Sequence, residues 1–296
     1  MESNNLENNP AAPLVQLLSF AFIWLCCASV GSLLVSLFTQ GNNWTSIAAI
    51  VEQIQNSEDG DLVNQLRYVQ IIGHLSNYFL PALIFIVAWY RPKVWAAVQL
   101  SKAPPLKITL ISLVAVFTLF PFISWVYYWN MNLIPADWVG QDKLELQAAF
   151  LNMRNGYELL LNIFLLGVVA ALGEELVFRG IIQRILTQWS GQVHSSAFIT
   201  AALFSFIHFQ WEGFAARFLL GLLFCYLLIY TQNLWVPILL HFCFNSIQVI
   251  IPYFNPEMVK AVGETTEIPL LVALLSLGTF GIIWKTFILN KNKIYK

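Results

Sequence analysis

The chain has 296 residues, of which 58% are hydrophobic and only 10% charged. Soluble domains carry about 45–50% apolar and about 25% charged residues, so a soluble enzyme does not fit, and neither does a disordered chain, which needs low hydrophobicity and high net charge. With 15 Lys+Arg against 16 Asp+Glu the formal charge is −1, which leaves no basic surplus for nucleic acid. The composition predicts an all-α protein, a polytopic membrane helix bundle whose first partner is the lipid bilayer.

A membrane-spanning helix needs about 20 mostly apolar residues. In chain order the candidate spans are Leu14–Phe38, Val69–Tyr90, Ile108–Trp129, Leu159–Trp189, Ser195–Phe209, Phe214–Tyr230, Leu234–Tyr253 and Ile268–Leu289, which predicts about eight transmembrane helices. The fourth is long and carries charges; the next three are short and closely spaced. Glu2 and Glu7 flank the first span where a signal peptide would be basic, so this span is expected to be retained. Pro81 and Pro121 fall inside spans and predict kinks, which membrane helices tolerate.

Basic residues set the orientation. Arg91, Lys93, Lys102 and Lys107 follow the second span, and Lys285, Lys291, Lys293 and Lys296 close the chain. The loop after the first span is acidic, with Glu52, Glu58, Asp59 and Asp61 against Arg67; the loop after the seventh holds Glu257, Glu264 and Glu267 against Lys260. Eight spans with both termini cytoplasmic satisfy all of these. Between spans, Trp44–Ile54 carries Ile47, Ile50, Val51 and Ile54 at helical spacing, and Lys143–Met153 carries Leu144, Ala148, Phe150 and Leu151. Both read as helices lying on the bundle edge. Cys26, Cys27, Cys225 and Cys243 lie in apolar runs and read as small buried side chains, not as a disulfide or metal framework. There is no repeat and no linker, so 1–296 reads as a single membrane-embedded domain.

The fourth span contains Gly173-Glu174-Glu175-Leu176-Val177-Phe178-Arg179-Gly180. An ionisable side chain at a span's centre costs roughly 2.5–3.5 kcal/mol even on the lenient scale, so such groups are functional by default. Glu175 and Arg179 are four apart and can pair on one face, which suits a structural role. Glu174 is rotated by about 100° from Glu175 and is less well neutralised, which suits chemistry. Phe204-Ser205-Phe206-Ile207-His208 in the fifth span, and His241-Phe242-Cys243-Phe244-Asn245 in the seventh, add two imidazoles and an amide. Counted at 1.5 Å per residue, all four groups fall in one middle layer, roughly 10–22 Å from the cytoplasmic ends of their spans. Glutamate and histidine can deprotonate a water, while histidine and asparagine can donate to an oxyanion. The same Glu174, His208 and His241 could instead hold a catalytic zinc or other divalent metal. H-E-x-x-H and G-x-S-x-G are both missing. His74 reads as a packing residue, His194 as solvated, and Glu212 and Arg217 as interfacial anchors. A non-catalytic membrane module and a proton-coupled carrier are the alternatives to a peptidase.

Glu174-Glu175-x-x-x-Arg179, Phe204-x-x-x-His208 and His241-x-x-x-Asn245 together resemble the motifs of the CPBP family, the CAAX protease and bacteriocin-processing group that includes Ras-converting (Abi-type) proteases. The resemblance covers a core of about 159–250, with the N-terminal spans at 14–129 and the C-terminal span at 268–289 matching only in hydrophobicity. It implies a multi-pass intramembrane endopeptidase, expected in a bacterial cell membrane, acting on a membrane protein or peptide substrate. Glu174 and His208 would activate the attacking water, His241 and Asn245 would steady the oxyanion, and Glu175, Arg179 and Phe204 would shape the site. The resemblance leaves metal dependence open, so Zn2+ at Glu174, His208 and His241 stays an option. It also includes bacteriocin immunity factors.

Overall fold

A computed structural model describes residues 12–40, 47–56, 61–260, 262 and 266–294. Among these the chain is helical throughout, without strands. The long or site-bearing helices are α1 (Ala12–Phe38), α2 (Ile47–Asn56), α3 (Asp61–Tyr90), α4 (Leu106–Leu133), α5 (Gln141–Leu151), α6 (Gly156–Ser190), α7 (Val193–Phe206), α8 (Phe214–Thr231), α9 (Trp235–Phe254) and α10 (Leu270–Ile294). Of the residues invoked for orientation, Glu58, Asp59, Glu264 and Lys296 lie outside the described residues, as do Glu2, Glu7 and the start of the Trp44–Ile54 stripe.

Seven of the described helices are long and apolar enough to cross a membrane. The fifth expected span is α7, which has 14 residues. At 1.5 Å per residue it reaches about 21 Å, short of a hydrocarbon layer of about 30 Å. The bundle is therefore seven long helices and one short one. Phe204 and Ser205 near the end of the short helix are buried, while Phe206 and Phe209 at the turn that follows are exposed.

The helices sort by burial. About 61% of the apolar stretch of α6 is covered by the rest of the chain, against 11% for α1 and 17% for α10. Thus α6 is the central rod, while α1 and α10 present Leu18, Phe22, Leu271 and Ile282 outward, as lipid-facing sides must. One apolar core joins α1, α3, α6, α7 and α9 through Phe20, Phe85, Phe178, Ile181, Phe204 and Ile238. A second joins α4, α8, α9 and α10 through Ile108, Leu119, Leu220, Phe224, Leu240 and Phe287. The seam between these cores is where the motif residues gather.

The helices expected at the bundle edge are present. α2 and α5 pack on each other, Gln55 Nε2 donates to Glu145 Oε2 at 2.9 Å, and Phe150 joins Leu66 and Leu165 in a third, small core. Arg67, counted above as a loop charge, is instead fully buried inside α3. Its Nε donates to Asn162 Oδ1 at 2.9 Å, its Nη2 to the Phe150 carbonyl at 2.9 Å, and its Nη1 lies 3.6 Å from Glu158 Oε2. One guanidinium therefore ties α3, α5 and α6 together, its charge compensated as burial demands.

Both span prolines have visible compensation. Pro121 has no amide hydrogen to give the Phe117 carbonyl, and its ring crowds that turn of α4. Ser276 of α10 inserts there, accepting from Phe122 N at 3.2 Å and donating to Thr118 O at 2.6 Å. Pro81 follows directly on a π-helical turn, Leu75–Phe79, in α3. Two further π turns, Ile163–Val169 and Leu176–Ile182, bracket Glu174 and Glu175 in α6. Such i→i+5 turns are rare and cluster at functional sites.

Candidate active site

The two glutamates sit in the short α-helical stretch between the π turns of α6, and both are buried. Glu175 Oε1 accepts from Arg179 Nη1 at 2.9 Å, the expected pair four residues apart. Arg179 Nη2 donates to the Gly221 carbonyl at 2.8 Å, and its guanidinium stacks 4.6 Å from the centre of Phe204 and 5.5 Å from that of Phe224. The charge pair is thus enclosed by an aromatic box from α7 and α8.

His241 of α9 completes this arrangement. Its Nδ1 lies 2.9 Å from the same Glu175 oxygen, and its Nε2 lies 3.9 Å from Glu174 Oε2. A carboxylate only accepts, so Glu175 assigns the ring hydrogen to Nδ1 and leaves a lone pair on Nε2. The successive carboxylates address opposite nitrogens of one imidazole. The short link is a hydrogen bond. The long one is beyond hydrogen-bond range but fits a bridging water. Phe224 stacks on the ring at 5.3 Å and fixes its plane.

Phe204 is the wedge of the site. Its ring meets Phe178 at 5.2 Å, His208 at 5.2 Å and His241 at 6.1 Å, all edge-on. His208 lies just past the end of α7, and its Nδ1 is 2.8 Å from the Phe204 carbonyl. That carbonyl also only accepts, so the neutral His208 ring likewise turns a bare Nε2 outward. The turn carrying His208 is pinned from two sides. Lys143 Nζ of α5 donates to the Phe209 carbonyl at 2.7 Å, and Asn130 of α4 donates to the Trp211 carbonyl at 2.9 Å. Ser205 closes the same turn by donating to the Phe214 carbonyl at 2.7 Å.

Asn245 is one turn along α9 from His241. Its Nδ2 donates to the Leu166 carbonyl at 2.8 Å, inside the first π turn of α6. One amide hydrogen is thus committed to holding α9 on α6, and one remains free.

Two residues outside the motifs also reach this place. His74 and Tyr78 of α3 stack at 5.4 Å, and a Cβ built on Gly173 would come within 2.8 Å of Tyr78 Cβ. Glycine there lets α3 close on α6 at the residue before Glu174. His74 is an electrostatic neighbour of His241 and His208, and Tyr78 of Glu174. His74 does pack, on Tyr78, and the α3–α6 contact sets this pair beside the motif residues.

A zinc site needs three protein ligands about 2.0–2.2 Å from one point. Among the described residues no three His, Cys, Asp or Glu side chains converge so. Glu174, His208 and His241 share a wall of the site but do not form the ligand set considered above.

Fold and site together define the class: an all-helical integral membrane protein with an acid–imidazole centre buried between its spans. Residues 156–247 match the family model described as "Type II CAAX prenyl endopeptidase Rce1-like". The matched segment runs from the first residue of α6 into α9 and contains Glu174, Glu175, Arg179, Phe204, His208, His241 and Asn245, the residues that carry the resemblance to CAAX proteases. No curated protein and no solved structure matches the chain.

Proposed function

We propose that the chain is an intramembrane endopeptidase that hydrolyses peptide bonds of membrane-associated substrates with a water activated by Glu174. The observation that carries this reading is the 3.9 Å gap between Glu174 Oε2 and His241 Nε2. It lets one water seated beside the pair bond both bases, one of them oriented by Glu175 from behind.

In this mechanism the water lies between Glu174 and His241 with His208 beside it. Glu174 takes one proton as the water oxygen attacks the scissile carbonyl carbon. The carbonyl electrons move to oxygen, and the free amide hydrogen of Asn245 donates to that oxyanion. Glu174 returns its proton to the leaving nitrogen as the C–N bond breaks, and the water's second proton passes from the new carboxyl group to the freed amine, leaving a carboxylate and an ammonium. His241 moves from oxyanion support to the water, because the Glu175 contact leaves its Nε2 an acceptor. Glu175, Arg179 and Phe204 act as positioning residues. No step passes through a metal. Both termini face the cytoplasm, as the basic clusters require.

The test is cleavage of an internally quenched, prenylated CAAX peptide by purified protein in lipid nanodiscs, beside the unprenylated peptide. Glu174→Gln and His208→Ala should each abolish cleavage while the protein still inserts and keeps its melting temperature. Turnover persisting in Glu174→Gln would overturn the mechanism.

A further inference from the structure

His74 stands outside the segment that carries the family's motifs and belongs to a helix that the family match does not cover. Its Nδ1 is buried and has no hydrogen-bond partner within the chain. A buried polar atom left so costs about 1–3 kcal/mol, so a hydrogen bond from water or substrate at this atom would be favourable. The atom is not in a remote void. His74 stacks on Tyr78, Tyr78 abuts Gly173, and Gly173 precedes Glu174. The electrostatic neighbours of His74 include His241, and those of His208 include both His241 and His74. A π turn begins at the next residue, Leu75, and packs against both the Glu174 stretch and the second π turn of α6.

We propose that His74 is a further catalytic residue: its unpaired Nδ1 hydrogen-bonds the scissile peptide or the attacking water, so that the active site is completed by α3. This rests on the peptidase reading above. A neutral imidazole with hydrogen on Nδ1 gives the developing oxyanion a second donor beside Asn245, whose other amide hydrogen is already bound to Leu166. Tyr78 holds the ring by stacking and by its seat against Gly173.

Three substitutions separate this role from packing. His74→Phe keeps a ring on Tyr78 but no hydrogen bond. His74→Asn keeps a polar atom near the Nδ1 position, and His74→Gln moves it toward Nε2. On the prenylated CAAX peptide, His74→Phe should lower kcat about 10²–10³-fold, the usual loss for one oxyanion donor. KM should stay within about threefold and the melting temperature should hold, since uniform binding is untouched. His74→Asn should recover at least tenfold of that loss, and His74→Gln much less. Wild-type kcat in His74→Phe would overturn the proposal, as would equal loss in His74→Phe and His74→Asn, which would mean the imidazole serves only by its shape. If wild-type protein cleaves no peptide, the peptidase reading itself falls and this inference with it. Cleavage that Glu174→Gln abolishes but His74→Phe spares removes this inference alone.

Discussion

Glu175 Oε1 and His241 Nδ1 meet at 2.9 Å across the α6–α9 seam, on the same oxygen that holds Arg179. Neighbouring glutamates therefore have separable duties. Glu175→Gln leaves the Arg179 charge buried without its partner, and breaking such a pair costs about 3–5 kcal/mol. It should lower the melting temperature in detergent markedly and reduce turnover through misoriented His241. Glu174→Gln removes a carboxylate that makes no short contact with a cation, so it should abolish turnover with little change in melting. Equal stability losses in the two variants would contradict this division.

Phe204 separates and aligns two imidazoles while carrying the Arg179 guanidinium on its face. Phe204→Ala should cost about 3–5 kcal/mol, the range for truncating a buried aromatic. Phe204→Leu fills much of the volume but offers no ring edge or face. It should stay folded and still lose more than tenfold in kcat. A Phe204→Leu variant with full activity would show that volume alone is what the site needs.

Much of this was legible in the sequence because hydrocarbon punishes polarity. Glu174, Glu175, Arg179, His208, His241 and Asn245 were conspicuous only because each interrupts an apolar span. The Glu175–Arg179 pair followed from helical spacing alone. What was hidden depends on contacts between spans. His74 and Tyr78 lie beside the motif residues because α3 closes on Gly173, and no local pattern encodes that approach. Arg67 looked like a loop charge because the apolar run starts after it, yet Asn162 and Glu158 lie far along the chain and make its burial tolerable. The π turns carry no distinct periodicity, so the commitment of Asn245 to the Leu166 carbonyl was invisible too. The fifth span was expected to be short, and α7 has 14 residues; the contacts from α4 and α5 that pin the His208 turn after it leave no mark in the sequence.

That turn gives a prediction about α5. Lys143 Nζ donates to the Phe209 carbonyl at 2.7 Å and reaches the His208 carbonyl at 3.4 Å. Lys143→Met keeps the aliphatic stem and deletes both contacts. A part-exposed hydrogen bond from a charged group contributes about 1.5–3 kcal/mol at most, so the protein should stay folded. His208 would be held less tightly, and kcat should fall about three- to tenfold, a modest misplacement by the standards of positional effects. Lys143→Arg should restore most of it. Peptide turnover measured across the three proteins decides the matter, and an unchanged kcat in Lys143→Met would show that Asn130 and Ser205 fix the turn without it.

Ser276 offers a test that should leave chemistry alone. It sits in the break that Pro121 makes in α4, accepting from the Phe122 amide and donating to the Thr118 carbonyl. Ser276→Ala strands both backbone groups where little water reaches, which should cost about 1–3 kcal/mol per group before relaxation. Pro121→Ala lets the Phe122 amide return to the Thr118 carbonyl directly, so the double variant should be more stable than Ser276→Ala by itself. A double-mutant cycle on thermal unfolding reads this coupling as non-additivity. Turnover per folded molecule should match wild type in all variants, since α4 and α10 meet in the second core and Ser276 touches none of the motif residues. Additive stability losses would mean that the serine packs beside the proline without repairing the helix.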